Sequence, residues 1–156
     1  MIPWSVEEHA SLWSEMTRHA SAGWPEEVCG VVSQDRADTL RVHLGVNNAS
    51  MPRAAFDLAA GLLLDLARHG RRPVAFFHSH PDAAPVMSAA DHHAAVLDGE
   101  PIWPGVDHII ISVYNRRPRA LIIHRWSQSH RRHRPLLTID LESAPMNIPQ
   151  PSVPRP

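Results

Sequence analysis

The stretch Phe76–Asp91, FFHSHPDAAPVMSAAD, combines a buried-looking strand, a proline turn and the start of a helix. His78 and His80 are two positions apart, so on a strand their side chains project to the same side while Ser79 faces away. Pro81 cannot donate to a strand ladder and should end the strand. Imidazole nitrogens suit zinc, and two on one face supply half of a tetrahedral site. The stretch therefore indicates a strand that aims two histidines at one point.

Ser88 and Asp91 follow at the head of an alanine-rich run. Taken alone, they are an ordinary N-cap and an acidic third helical residue. Joined to two histidines, however, a carboxylate gives three protein ligands and leaves one position for water, as in catalytic zinc sites. Zinc lowers the pKa of such a water to about 7, and a base must still take its proton. The stretch predicts a hydrolytic metal centre whose base lies elsewhere in the chain.

Apolar periodicity outside this stretch predicts helices interleaved with strands. The capping-box spacing of Ser5 and Glu8 predicts a first helix over 6–20. The apolar pattern predicts a second helix from Asp57 to Gly70 and a third over 88–97. The predicted strands are EVCGVVS (27–33), LRVHL (40–44), PVAFFHS (73–79), DHIIISV (107–113), RALIIHRW (119–126) and, at the sheet edge, LLTID (136–140). This order predicts an α/β fold, a three-layer α/β/α single domain with a central mixed sheet over residues 1–142. Residues 143–156 form a proline-rich tail that we expect to be flexible.

Bulk composition excludes several classes of protein. The formal net charge is -1 and the pI about 6.9, which argues against a nucleic-acid-binding protein. The basic run HRRHR (130–134) is typical of a solvated surface, or of one that meets an acidic patch on a protein substrate. No apolar run approaches the roughly 20 residues of a membrane span, and the acidic start MIPWSVEEHA is unlike a secretory signal. We therefore expect a cytoplasmic protein that binds neither membrane nor nucleic acid.

A candidate for the base lies upstream, in WPEEVCGVV (24–32). Glu-x-Cys-Gly before a strand, followed by His-Ser-His-Pro, six residues, Ser, two residues and Asp, resembles the JAMM motif of the MPN-domain zinc metalloproteases. The resemblance implies a fold similar to that of cytidine deaminases and one catalytic Zn²⁺. It also implies the roles of the motif residues: His78, His80 and Asp91 as zinc ligands, Glu27 as general base and Ser88 as the group that stabilises the oxyanion. Glu27 is chosen over Glu26 by its offset to Cys29, which is expected to be a small buried residue. A zinc nucleobase deaminase would need Pro-Cys-x-x-Cys, and a single cysteine excludes it.

The same resemblance implies a substrate class. Family members hydrolyse the peptide or isopeptide bond after the C-terminal Gly-Gly of a ubiquitin-like protein. The connections GVNNASMPRA (45–54) and LDGEPIWPGV (97–106) are short, as in the compact prokaryotic branch. Within that branch, deconjugation or precursor processing in a bacterial ubiquitin-like system, including one for antiviral defence, competes with trimming of ubiquitin-like sulfur carriers. A third alternative is an inactive MPN scaffold, although all five motif positions are present.

Three further features bear on the partner. Trp103, in the second short connection, is a candidate substrate-binding residue. Successive helical positions point about 100° apart, so His92 and His93 are expected to face solvent or to support the ligands. All 15 basic residues are arginine. Codon bias in a GC-rich genome is one explanation for the absence of lysine. The alternative is that an enzyme working beside a lysine-modifying ligase avoids becoming its target by having no lysine. The oligomeric state is not predicted.

Overall fold

The computed structural model describes residues 1–48 and 60–143. Six strands form one sheet: β1 (Cys29–Gln34), β2 (Leu40–Leu44), β3 (Arg72–Pro81), β6 (Asp107–Tyr114), β7 (Arg117–Ser127) and β8 (Arg132–Asp140). Their order in the sheet is β2-β1-β3-β6-β7-β8, and β4 (Val96–Leu97) and β5 (Glu100–Pro101) form a separate pair. β3 and β6 are parallel and the other neighbours antiparallel, so the sheet is mixed, as predicted.

Helices cover both faces of this sheet. Helix α1 (Ala10–Gly23) packs on one face, where Trp13 and Met16 are buried in a cluster with Phe77, Ile109 and other strand residues. Helix α2 (Ala60–Arg68) covers the opposite face, where Leu66 packs with Phe76. The predicted three-layer α/β/α fold is confirmed. The predicted start of this second helix, Asp57, lies outside the described residues.

The first helix begins later than predicted, at Ala10 rather than Val6. The Ser5 hydroxyl does accept a hydrogen bond from the Glu8 amide at 3.3 Å, as a capping box requires. However, the indole nitrogen of Trp13 donates to the Ser5 carbonyl at 3.1 Å. Ser5 therefore closes a separate turn, and the helix starts one turn later.

The third helix ends earlier than predicted. Helix α3 spans Ala89–Ala95, and Val96–Leu97 (β4) turns back to pair with Glu100–Pro101 (β5). Asp98 and Gly99 connect them with φ of 50° and 78°. Asp-Gly is a strong signal for a two-residue hairpin turn, because both central positions need positive φ. Within LDGEPIWPGV, then, a short hairpin follows the helix.

The edge strand is longer than the predicted LLTID. β8 begins at Arg132, so the second half of the basic run HRRHR belongs to the sheet. Within it, His133 is buried and its two arginine neighbours are exposed. β-Strand alternation explains this pattern, which a charge count does not reveal. None of the helices in the described ranges is long and apolar enough to cross a membrane.

Candidate metal centre

The two histidines lie on β3, one of the two central strands of the sheet. β3 lies between β1 and β6, and His78 and His80 are only 1% and 8% exposed. Ser79 points away from them, and its hydroxyl accepts a hydrogen bond from the Val28 amide at 2.9 Å. The alternation predicted for His-Ser-His is therefore present, with the serine used to fasten the neighbouring segment.

Asp91 meets the histidines from helix α3. Its carboxylate oxygens lie 3.3 Å from Nε2 of His78 and 3.3 Å from Nε2 of His80, and the two Nε2 atoms are 3.0 Å apart. These three residues form a group whose ligand atoms all lie within 4.8 Å of one another. The structure thus brings together the three predicted metal ligands from two elements that are joined by the loop 82–88.

Contacts behind the ligands set their orientation. Nδ1 of His80 lies 2.9 Å from the Ala84 carbonyl, which can only accept, so Nδ1 carries a proton and Nε2 is the nitrogen turned toward the cluster. The Ser112 hydroxyl donates to the Ala83 carbonyl at 2.7 Å and holds the same loop to β6. The loop after β3 therefore fixes the tautomer of one ligand.

Ser88 and Asp91 form a complete capping box. The Ser88 hydroxyl accepts from the Asp91 amide at 3.1 Å, and the Ser88 amide and hydroxyl both donate to Asp91 Oδ2 at 2.7 Å. Burial alone would raise the pKa of Asp91, but hydrogen bonds from His78, His80 and Ser88 hold it well below its usual range. Asp91 is therefore an ionised carboxylate whose position is set by the start of the helix.

Glu27 lies at the same end of the sheet. Cys29 pairs with His78, and Val28 is bonded to Ser79 on both its amide and its carbonyl, so the antiparallel register brings Glu27 opposite His80. Burial is the main cause that raises the pKa of Glu27 to about 7, with His80 lowering it and Asp91 raising it. Its neighbour Glu26 is exposed. A carboxylate with this pKa can exchange protons at neutral pH.

The residues present fit a zinc ion. Two imidazole nitrogens and one carboxylate are the usual donors of a catalytic zinc site with an open position. Their acceptor atoms face one another at about hydrogen-bond distance, an arrangement that a cation between them would stabilise. Cys29 is buried in the adjacent strand and is not in this group.

Comparison with known proteins agrees with this geometry. The sequence profile for prokaryotic homologs of the JAB domain matches residues 9–132. The chain belongs to the prokaryotic JAB family. It is 32% identical over 123 residues to a protein named desampylase from Haloferax volcanii, covering 75% of this chain and 81% of the relative.

Two solved structures share the fold of this JAB protein. A solution structure from Salinibacter ruber has a TM-score of 0.57 and 23% identity, covering 85% of this chain and 90% of the other. A solution structure from Desulfitobacterium hafniense has a TM-score of 0.59 and 24% identity, covering 81% and 86%. At this identity the likeness concerns the fold alone. The family match over residues 9–132 and the relative at 32% identity confirm the compact prokaryotic JAMM/MPN assignment.

An apolar cleft leads to His78 and Asp91 of this JAB domain. It has a volume of about 210 Å³ and is lined by Leu63, Phe76, His78, Asp91, Ala94, Ala95, Trp103 and His108. Trp103 is 42% exposed, and its ring lies edge-on to Phe76 at 5.6 Å between centroids. Trp103 thus lies near the cluster, as predicted, and its role in substrate binding stays a prediction.

Sequence reasoning missed a second group of histidines behind the site. The rings of His108 and His133 are 4.6 Å apart, and His133 also contacts His92 at 6.2 Å. Burial, followed by the nearby His133, lowers the pKa of His108 to about 3, and burial lowers that of His133 to about 4. Both are neutral at physiological pH. The alternation of buried and exposed residues at the start of β8 was the signal that could have indicated that His133 is buried. His93 is exposed and lies outside this group of histidines.

Proposed function

We propose that this chain is a zinc-dependent isopeptidase that removes a ubiquitin-like protein from a lysine of its target. The observation that carries the proposal is the convergence of two imidazoles and one ionised carboxylate with the half-buried Glu27 at one end of the β1–β3 pair. The relative named desampylase supports a deconjugating activity. The absence of lysine from the sequence is compatible with work beside a lysine-modifying ligase.

The residues of this chain divide the chemistry between them. His78, His80 and Asp91 would hold the zinc ion, which supplies Lewis acidity by lowering the pKa of a water and polarising a carbonyl. Glu27 takes the proton of the attacking water and returns it to the leaving amine. In the metal-free protein, burial raises the pKa of Glu27 to about 7.

Ser88 stabilises the negative charge that develops on the carbonyl oxygen. A serine hydroxyl has one hydrogen, so this donation requires Ser88 to release Asp91 Oδ2. The Ser88 amide donates to the same oxygen at 2.7 Å and continues to hold the carboxylate. The backbone half of the capping box therefore keeps Asp91 in place while the side chain is used in the reaction.

The apolar cleft is suited to the C-terminal tail of the ubiquitin-like protein. Its volume of about 210 Å³ is small, and Phe76, Leu63 and Trp103 give it apolar walls. A Gly-Gly segment has no side chains, so its backbone can pass through a narrow cleft that excludes most other sequences. We place Trp103 as a wall of this tail-binding cleft.

The experiment compares two substrates. The zinc-loaded protein is incubated with a Gly-Gly-tailed ubiquitin-like protein joined to a target through lysine, and with the same protein carrying a short linear C-terminal extension. If the chain is a deconjugating enzyme, it should cleave the lysine-linked conjugate faster than the linear extension. Asp91→Ala should lose both reactions. Cleavage of the linear extension alone would support trimming of sulfur carriers, and cleavage of neither by protein with bound zinc would support an inactive scaffold.

A further inference from the structure

A second cavity borders a different face of helix α3 from the apolar cleft. It has a volume of about 270 Å³ and is lined by Met87, Ser88, Ala89, His92, Arg132 and His133. The apolar cleft reaches Asp91 and this cavity reaches Ser88, and these two residues are hydrogen-bonded to each other. A polypeptide bound at this pair of residues can therefore extend into the cleft and into this cavity.

His133 lies in the wall of the cavity. The side chain is only 6% exposed, and neither ring nitrogen has a hydrogen-bond partner among the residues that the structure describes. Rings surround it instead, with Trp126 at 5.2 Å and His108 at 4.6 Å between centroids. Both nitrogens are covered by protein, so an occupant of the cavity meets the Arg132 side chain and not these nitrogens.

Arg132 gives the cavity a positive charge. Three other exposed arginines have carboxylate partners: Arg68 pairs with Asp65, Arg119 with Glu142 and Arg131 with Glu100. Within residues 1–48 and 60–143, Arg132 has no such partner. A guanidinium binds carboxylates with paired hydrogen bonds, so its preferred occupant is acidic.

We propose that the cavity between α3 and β8 is a substrate subsite that binds an acidic side chain of the target polypeptide beside the modified lysine. The inference rests on the proposed isopeptidase function. The target side is assigned because a Gly-Gly tail offers no side chain to Arg132, whereas residues around a target lysine do. Isopeptide bonds flanked by Glu or Asp are thus the favoured substrates.

The test uses two peptides that differ in one residue. Each contains a lysine joined through an isopeptide bond to a Gly-Gly-ended tail, with either Glu or Gln next to the lysine. The wild type is expected to cleave the Glu peptide with a KM about fivefold lower, the size of a partly exposed ion pair. Arg132→Gln is expected to remove this preference by making the KM values of the two peptides equal.

Arg134→Gln is the matched control. Arg134 is an exposed arginine two positions along the same strand, and it does not line the cavity. This variant should keep the fivefold preference. Equal KM values for the two peptides in the wild type would overturn the proposal, as would an equal loss of preference in both variants, which would indicate general electrostatic attraction.

A binding measurement separates this inference from the proposed function. Fluorescence anisotropy with labelled Glu and Gln peptides is recorded on zinc-loaded Glu27→Gln protein, and again with Arg132→Gln added. A preference for Glu that depends on Arg132 supports the subsite even if the wild type cleaves neither peptide, in which case the isopeptidase function fails. Equal binding of the two peptides refutes the subsite even if both are cleaved.

Discussion

Two carboxylates in this molecule are held among polar partners next to the sheet, and they differ in how their partners match them. Asp107, at the start of β6, accepts hydrogen bonds from Trp4 Nε1 at 2.6 Å and from the Arg125 guanidinium at 2.8 and 2.7 Å. Arg125 also donates to the Ile2 carbonyl and so fastens the N-terminal segment. Every oxygen of Asp107 thus meets a donor, and the charges of the pair cancel.

Asp91 has a different environment. It is joined to Ser88, but it also faces two imidazole Nε2 atoms at 3.3 Å, and neither imidazole carries a permanent charge. The neighbouring Glu27 adds a second carboxylate. A cluster of two carboxylates that has no guanidinium calls for a cation, whereas the Asp107 cluster is complete without one. The difference separates the candidate metal centre from a structural ion pair.

The largest expected effect comes from removing one of the predicted zinc ligands, His78, His80 or Asp91. His80→Ala should reduce bound zinc from about one ion per chain to none and abolish peptidase activity, because ligand loss weakens affinity by more than the roughly 100-fold cost of losing a supporting contact. Zinc content is measured by atomic absorption after dialysis. Asp107→Asn is the control and should keep its zinc. Retention of a full equivalent of zinc by His80→Ala would refute the ligand set.

The next effect distinguishes the carboxylate beside the metal ligands from its exposed neighbour. Glu27→Gln should keep zinc and lose about 10²- to 10⁴-fold in kcat, the usual contribution of a general base. Glu26→Gln, which alters an exposed side chain, should cleave at the wild-type rate. The readout is kcat under saturating substrate with zinc content determined in parallel. If Glu26→Gln were the inactive variant, the assignment of the base would move by one residue.

The contrast between the two clusters also shows what the sequence could predict. His-x-His on a strand and Ser-x-x-Asp at a helix start follow local periodicities, so the placement of His78, His80, Ser88 and Asp91 could be inferred before the fold was known. Glu27 needed the motif, because nothing local shows that the segment before β1 lies against the end of β3. That proximity is set by pairing of Cys29 with His78 across the sheet.

Features that depend on long-range packing were not predictable in the same way. Arg125 and Asp107 are 18 residues apart and Trp4 is 103 residues from Asp107, and no short pattern links them. The hairpin at Asp98 and Gly99 did have a local signal, which the helical reading of Val96 and Leu97 overrode. His133 looked like part of a charged run, but β8 buries it between two exposed arginines.

Loss of the ion pair between Asp107 and Arg125 should lower the stability of the protein and leave catalysis unchanged. Asp107→Asn leaves Arg125 beside a neutral amide and removes the charge that the guanidinium was paired with, at a cost of about 3 kcal/mol in the free energy of unfolding. Urea denaturation of the zinc-loaded protein measures this loss. The kcat of the folded variant should stay within about twofold of the wild type. A large fall in kcat at unchanged stability would mean that the two clusters are not separate.

The smallest effect tests the excess of negative charge at the metal centre. In protein kept free of metal by a chelator, the folded state raises the pKa of Glu27 from 4.5 to about 7, so it binds more protons than the unfolded state between these pH values. The contribution of Glu27 to the free energy of unfolding of the wild type is therefore fully present below pH 4.5 and is lost as the pH rises through 7. Glu27→Gln has no such proton to lose, and it should be more stable than the wild type at pH 8 by about 1 kcal/mol, since solvent screens a half-buried group.

At pH 4 the two chelated proteins should unfold at the same urea concentration, because Glu27 is then protonated in both the folded and the unfolded states. Glu26→Gln should match the wild type at both pH values. An equal effect of Glu27→Gln at pH 4 and pH 8 would point to altered packing and not to charge. A gain confined to the higher pH would show that the site carries a negative charge that folding alone does not balance, which is the property that distinguishes it from the paired Asp107.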